Sequence, residues 1–296
     1  MRIGDTLLDL AREKEHRSLF VVGTGKNAGK TVTMRAIASA ATRRGVRIGL
    51  SSAGRDGEAL DAVDFAAKPR LFLLPETLIA TARNLLPAHP ASEIVDISEW
   101  QTAAGEVIFA RVRQAAFYEL AGPPKASDLR ACIERLGEYG AELVIVDGAI
   151  DRTAALAGGN DAVIVAIGAD AAPTIDAVAL EARALVGRLG LQRYDPDGPV
   201  VKVDGVLDEA AAEALIANRE QRQVVVRDPT QIAIAGKAFI RIAAKLHLRC
   251  ERSLDVIAAT VASIGHERRF EPRDLLQTVA DATKLPVFDI YAAAAA

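Results

Sequence analysis

The chain has 296 residues, half of them hydrophobic and a quarter charged, a balance that allows a large buried core and excludes intrinsic disorder. A formal charge of −3 and an isoelectric point near 5.9 offer no basic field for a phosphate backbone, so nucleic acid is set aside as a partner. Cys132 and Cys250 are the only cysteines and form no CxxC pair, which argues against a disulfide framework or a zinc centre and for buried thiols.

Taken in chain order, Thr6 to Glu15 carries Leu7, Leu8, Leu10 and Ala11 on one helical face, which predicts a short lead-in helix. Its acids Asp5, Asp9 and Glu13 break any secretory-type apolar stretch, and no run approaches the ~20 apolar residues of a membrane helix. The expectation is a cytoplasmic protein without membrane contact. Ser18 to Gly23 (SLFVVG) then reads as a buried strand, Thr31 to Arg44 as a helix ending before Gly45, and Val46 to Ser51 as a second strand followed by the loop AGRDGE. Between Lys68 and Pro124 the signals conflict. The run LFLLPETLIATARNLL has a strand-like start and a helical finish, and Pro-bearing breaks follow, so 68–124 is expected to be a variable segment.

Beyond it the pattern predicts a helix at Asp128 to Tyr139, strands at Leu143 to Val146 and Ala162 to Ile167, and a long helix at Pro173 to Leu189. The remainder alternates: strand at Val200 to Val203, helix at Glu209 to Asn218, strand at Gln223 to Val226, helix at Ala233 to Leu246, strand at Asp255 to Val261, helix at Arg273 to Thr283, strand at Val287 to Ile290. Strands separated by single helices predict a doubly wound, mostly parallel α/β sheet with helices on both faces. Residues 1–190 are expected to form the nucleotide-binding core. Residues 191–296 would continue its sheet or form a small second lobe.

The motif that carries chemistry is Gly23-Thr24-Gly25-Lys26-Asn27-Ala28-Gly29-Lys30-Thr31. Its end matches the P-loop template G-x-x-x-x-G-K-[ST], while Thr24 occupies the place of the first glycine. It stands between a predicted strand and a predicted helix. Backbone N–H groups of such a loop turn toward phosphate oxygens, and the helix directs its positive end at them. Lys30 would pair with the β- and γ-phosphates and Thr31 would offer its hydroxyl to Mg²⁺. Two rivals stand beside this reading: a glycine-rich helix entry with no ligand, and a dinucleotide fingerprint built on Gly23, Gly25 and Gly29. The fingerprint wants an acid at the end of the second strand, where Ser51 and Ser52 stand, and has no use for Lys30 and Thr31.

The run GTGKNAGKT resembles the GT-x-x-x-x-GKT loop of dethiobiotin synthetase and its relatives among the MinD-like P-loop proteins. In the MinD/ParA branch an additional lysine precedes the P-loop lysine by five residues; Gly25 holds that place here. The resemblance implies a P-loop NTPase fold, ATP and Mg²⁺, and a second acid after the second strand near the metal. Asp56, with Glu58 close by, occupies that position; alternatively Asp56 is a turn residue before Gly57. Asp147 ends the apolar run LVIVDG and is the candidate metal-holding carboxylate, the alternative being an ordinary turn Asp before Gly148. Asp151 and Arg152 follow and could add an acid and a cation.

Other residues point less sharply. His16, His89, His247 and His266 are dispersed without metal-ligand spacing, and no GxSxG nucleophile motif occurs. The loop GHERR, Gly265 to Arg269, is expected to be solvated. No N/T-K-x-D tetrad selects guanine, which favours ATP. The resulting expectation is a Mg-ATP-binding enzyme, with Lys30 and Asp147 catalytic, Gly23 to Thr31 holding the nucleotide, and Thr31, Asp56 and Asp147 holding the metal. It would transfer phosphoryl groups to, or ligate, a small molecule, as dethiobiotin synthetase does. The alternative is a regulatory or chaperone-like NTPase acting on a partner protein. A homodimer is expected from the same resemblance.

Overall fold

The computed structural model describes residues 2–53, 70–87, 91–148 and 161–291. Contacts divide the chain into two compact units, Met1–Val22 with Lys30–Ala155 and Gly23–Gly29 with Leu156–Ala296.

In the first unit, helix α1 (Ile3–Glu13) buries Leu7, Leu8 and Ala11, the apolar face that its periodicity predicts, and packs on α2 (Lys30–Arg43). Strand β1 (Ser18–Gly23) is buried at all six positions. Strands β2 (Ile48–Ser52) and β3 (Leu71–Leu73) follow, then β4 (Leu78–Ala82), β5 (Ser92–Thr102), β6 (Gly105–Val112), β7 (Ala116–Tyr118), α3 (Ala126–Glu138) and β8 (Leu143–Asp147). Neighbouring strands run in the order β1-β8-β2-β4-β6-β5. The pairs β1–β8, β8–β2 and β2–β4 are parallel, in keeping with their near-continuous apolar runs.

The segment after β2 departs from expectation. The helical finish read into LIATARNLL is instead β4 followed by one 3-10 turn, Arg83–Leu85. All five residues of β4 are buried because it pairs with β2 on one side and β6 on the other. Its contiguous apolar residues thus serve both sheet faces rather than one helical stripe. Beyond it β5 and β6 form a hairpin, so the β4–β6 and β5–β6 pairs are antiparallel, as is the separate β3–β7 pair.

In the second unit, β9 (Asp161–Gly168) is buried throughout and lies beside β13 (Asp255–Ala262), which lies beside β14 (Val287–Asp289); both pairings are parallel. Helix α4 (Ile175–Leu189) starts where Thr174 accepts the Ala177 N–H, a side-chain N-cap. It packs on α7 (Pro272–Thr283). A small parallel sheet of β10 (Val200–Lys202), β11 (Gln223–Val226) and β12 (His247–Cys250), together with α5 (Glu209–Ala217) and α6 (Gly236–Ala243), closes around its own core of Leu207, Val224, Val226, Phe239, Ile242, Leu246, Leu248 and Cys250. Strand β12 falls just after the helix predicted at Ala233 to Leu246, in a stretch for which no element is predicted. Helix α6 ends at Ala243, and His247, Leu248, Arg249 and Cys250 alternate outward and inward, the period of a strand.

Phe109 tests the packing of the first unit. It is fully buried on β6, with the Trp100 ring 6.1 Å and the Tyr139 ring 5.3 Å away in edge-on contact and the Arg135 guanidinium 4.6 Å from its centroid. Phe109→Ala should destabilise the protein by ~3–5 kcal/mol, the cost of an emptied aromatic site. The midpoint of urea unfolding reads this directly, and a change under ~1 kcal/mol would contradict the packing.

Candidate functional site

The glycine loop is anchored by its backbone and by one hydroxyl. Within the second unit, the Thr24 N–H donates to the Ala166 carbonyl at 3.0 Å, and the Thr24 Oγ1 accepts the Gly168 N–H at 3.3 Å. Thr24, the departure from the P-loop template, thus ties the loop to the end of β9. Asn27 (φ 58°) and Gly29 (φ 92°) take left-handed backbone conformations. Ala28 is buried against Gly168, where an added Cβ would fall 2.9 Å from the Ala28 Cα. A Cβ on Gly29 would fall 2.3 Å from the Ile290 Cδ1. Glycine is needed at 168 because backbone stands in the way and at 29 because of its φ of 92°, while Gly25, Lys26 and Asn27 are exposed to solvent.

Within the first unit, α2 begins at Lys30, with Thr31 next and no acidic residue in its first turn. The positive end of a fourteen-residue helix is thus left without a carboxylate of its own. Both Lys30 and Thr31 are half-buried. Asp147 is the last residue of β8, level with Val21 of β1 and Ser52 of β2. Two bonds hold this level: the Gly148 N–H donates to the Val21 carbonyl at 3.0 Å and the Ala53 N–H to the Asp147 carbonyl at 2.8 Å. Burial pushes the Asp147 carboxyl above the usual carboxylate range, and the Lys30 ammonium pulls it back in part. An acid and a lysine from the two predicted motifs therefore act on each other.

The structure brings Lys30 and Asp147 into electrostatic contact and gives the loop its anchors. Asp56, Glu58, Asp151, Arg152 and His89 lie outside the described residues. Ser51, where a dinucleotide fingerprint wants an acid, is fully buried and donates to the Ala80 carbonyl at 3.3 Å. The GHERR loop is not merely solvated. The Asp170 carboxylate accepts the backbone N–H groups of His266, Glu267 and Arg268 at 2.6, 3.1 and 3.0 Å. Burial opposes its ionisation, but these donors hold the carboxyl below the usual range. Cys132 and Cys250 are buried free thiols, pushed up by burial to about 12 and about 11, which leaves them unreactive.

Sequence reasoning missed Gly168 and the anchoring role of Thr24. The signal for Gly168 was present: like Gly148, it directly follows an apolar strand. Among the described residues no group of three or more His, Cys, Asp and Glu gathers as a metal centre, and no helix is long and apolar enough to cross a membrane. Compared with protein-family models, curated proteins and solved structures, the chain gives no match.

Asp147 yields a prediction about stability. A carboxyl whose folded pKa is raised favours the fold below its unfolded pKa and loses that contribution as pH rises through the folded value. Asp147→Asn removes the buried charge, so the nucleotide-free variant should melt a few degrees above the parent at neutral pH. The gain should shrink as pH falls and Asp147 itself becomes protonated. Thermal melts from pH 4 to pH 8 check this; superimposable curves would show that the carboxylate bears no burial cost.

Proposed function

We propose that the chain binds Mg-ATP in a doubly wound P-loop fold and transfers a phosphoryl group to, or ligates, a small molecule, similarly to dethiobiotin synthetase. The observation that carries this reading is the placement of Asp147 at the end of β8, level with Ser52 at the end of β2 and within electrostatic reach of Lys30, which opens α2. The residues fit the ligand. The Thr31 hydroxyl and the Asp147 carboxylate are hard oxygen donors of the kind Mg²⁺ takes alongside substrate phosphates. Lys30 and the acid-free start of α2 are positive where a triphosphate is negative. When bound, Mg-ATP supplies an activated γ-phosphoryl group. Lys30 neutralises phosphate charge, the loop N–H groups orient the chain of phosphates, and Asp147 holds the metal side of the site, directly or through water.

A second reading, an NTPase that acts on a partner protein, draws on exposed apolar side chains in the segment after β2. Phe117 is 59% exposed against Phe72 on the β3–β7 pair, and Ile94 and Ile97 stand outward on β5. Hydrolysis rates with and without small carboxylic acids separate the two readings. A rate that rises with a small molecule supports the enzyme, and a slow rate indifferent to all of them supports the partner-driven protein.

Lys30→Ala should weaken Mg-ATP binding by about tenfold to a hundredfold, the worth of a charge-assisted contact, with the fold intact because the residue stands at a helix start. Titration calorimetry reads it, and unchanged affinity would refute the phosphate-loop assignment. Asp147→Asn should lower turnover by about a hundredfold while affinity changes by only a few-fold, since charge stabilisation counts most in the transition state. Parallel turnover and affinity measurements decide; equal turnover in variant and parent would remove Asp147 from the metal site.

A further inference from the structure

At the carboxyl ends of β10, β11 and β12 lies a cavity of about 490 Å³, within the size class of small-molecule sites, ~300–1,000 Å³. It lies wholly within the second unit and owes nothing to the phosphate loop. Ligands of open parallel sheets bind at this end of the strands. The strand ends are rigid: the ladder continues past them through the Val203 N–H to the Val225 carbonyl (2.9 Å), the Glu251 N–H to Val226 (2.9 Å) and the Arg252 N–H to Arg227 (3.0 Å). The Gln231 side chain ties the rim together. Its amide donates to the Val203 carbonyl at 2.9 Å and to the Gly205 carbonyl, and its oxygen accepts the Arg227 N–H at 2.6 Å.

Four charged groups line this cavity, two of each sign: Lys202 and Arg227 against Asp204 and Glu251. Arg227 is held by one edge: its Nε donates at 2.9 Å to Asp228, a carboxylate only 1% exposed that also accepts the Thr230 N–H at 3.0 Å. Among the described residues the terminal amino groups of that guanidinium have no hydrogen-bond partner, although they form the fork that grips a carboxylate bidentately. Lys202 pairs with Glu251 at 2.7 Å, which leaves two of its three donor positions unused. The exposed Asp204 carboxylate has no partner among the described residues. Val203, Val206 and Val225 supply the apolar lining, and Val206 is 62% exposed.

A polyanion would meet Asp204 and Glu251, and a simple amine would meet Arg227 and Lys202. A ligand with both charges and a short apolar part satisfies every group. We propose that this cavity is a binding site for an α-amino acid with an aliphatic side chain, its carboxylate on the Arg227 fork and Lys202, its ammonium on Asp204 and Glu251, and its side chain against Val203, Val206 and Val225.

The test is titration calorimetry on the full-length chain with valine, leucine, isoleucine and methionine, and with isoamylamine and isocaproate, which each keep one of leucine's two charges. At least one of the four amino acids should bind. Asp204→Asn and Arg227→Gln should each weaken that binding about tenfold or more, and the single-charge analogues should bind at least as much more weakly than leucine, if leucine is the amino acid bound. Asp204 has no partner to lose, so its variant should melt with the parent in the absence of ligand and report on binding alone, even if Arg227→Gln disturbs the buried Asp228. No binding by any of the four at millimolar concentration overturns the proposal. So does undiminished binding in Asp204→Asn, or an amine or acid that binds as tightly as the amino acid.

Discussion

The arrangement of the first unit depends on the burial of β1. A strand with all six residues covered can release the chain to solvent only at its end, so Gly23 is the first position where a loop can begin. The parallel neighbours repeat the constraint. The interior residues of β8 are buried, with Val146 fully so, and a carboxylate one residue before Asp147 would be an ion without water. The last position of the strand is the first that tolerates an acid. Because parallel pairing holds Val21, Asp147 and Ser52 level, β8 and β2 end at one height, and β1 runs two residues further to Gly23.

That placement has a thermodynamic cost. Asp147 resists ionisation because it is partly buried, and the positive φ of Asn27 is a strained choice for a side-chain-bearing residue. Neither feature helps the fold. The loop accepts the strain because its contacts are made by small groups: the Thr24 hydroxyl and the bare Cα atoms of Gly29 and Gly168. Anchoring by such groups keeps side chains out of the curl and leaves Gly25, Lys26 and Asn27 open to solvent. A solvent-open turn before a helix start without acids is the feature on which the proposed phosphate reading draws.

What could be read from the sequence was what is local. The spans of β1 and β11 were read to the residue, since each is an apolar run bounded by a polar or glycine residue. The phosphate-loop motif is contiguous, and Asp147 announces itself by ending LVIVD. The failures share one cause. Whether Leu78 to Ala82 coils or extends is decided by β2 and β6 on its two sides, a tertiary choice that local propensity does not contain. The hydroxyl role of Thr24 depends on Gly168, 144 positions away. The β12 strand failed for a related reason: four residues are too few for an alternating pattern to outweigh the helix before it.

The two ends of the chain apply one rule to different chemistry. In the small sheet the interior of β11 is again apolar, with Val224, Val225 and Val226 buried, and charge stands where the strands finish, at Lys202, Arg227 and Glu251. Strands of three or four residues leave little sheet to bury, so this unit relies on its separate core and on side-chain ties such as Gln231 to keep the strand ends in place. The balance of charge then separates the two sites. Around Lys30, among the described residues, a lysine and a helix start stand against Asp147, the balance on which the proposed triphosphate reading draws. Around Arg227 two cations and two acids stand in balance, and a triphosphate would meet Asp204 and Glu251 as well as Lys202 and Arg227. Selectivity between the two proposed sites would then follow from the sign pattern at the strand ends, before any detail of shape is considered.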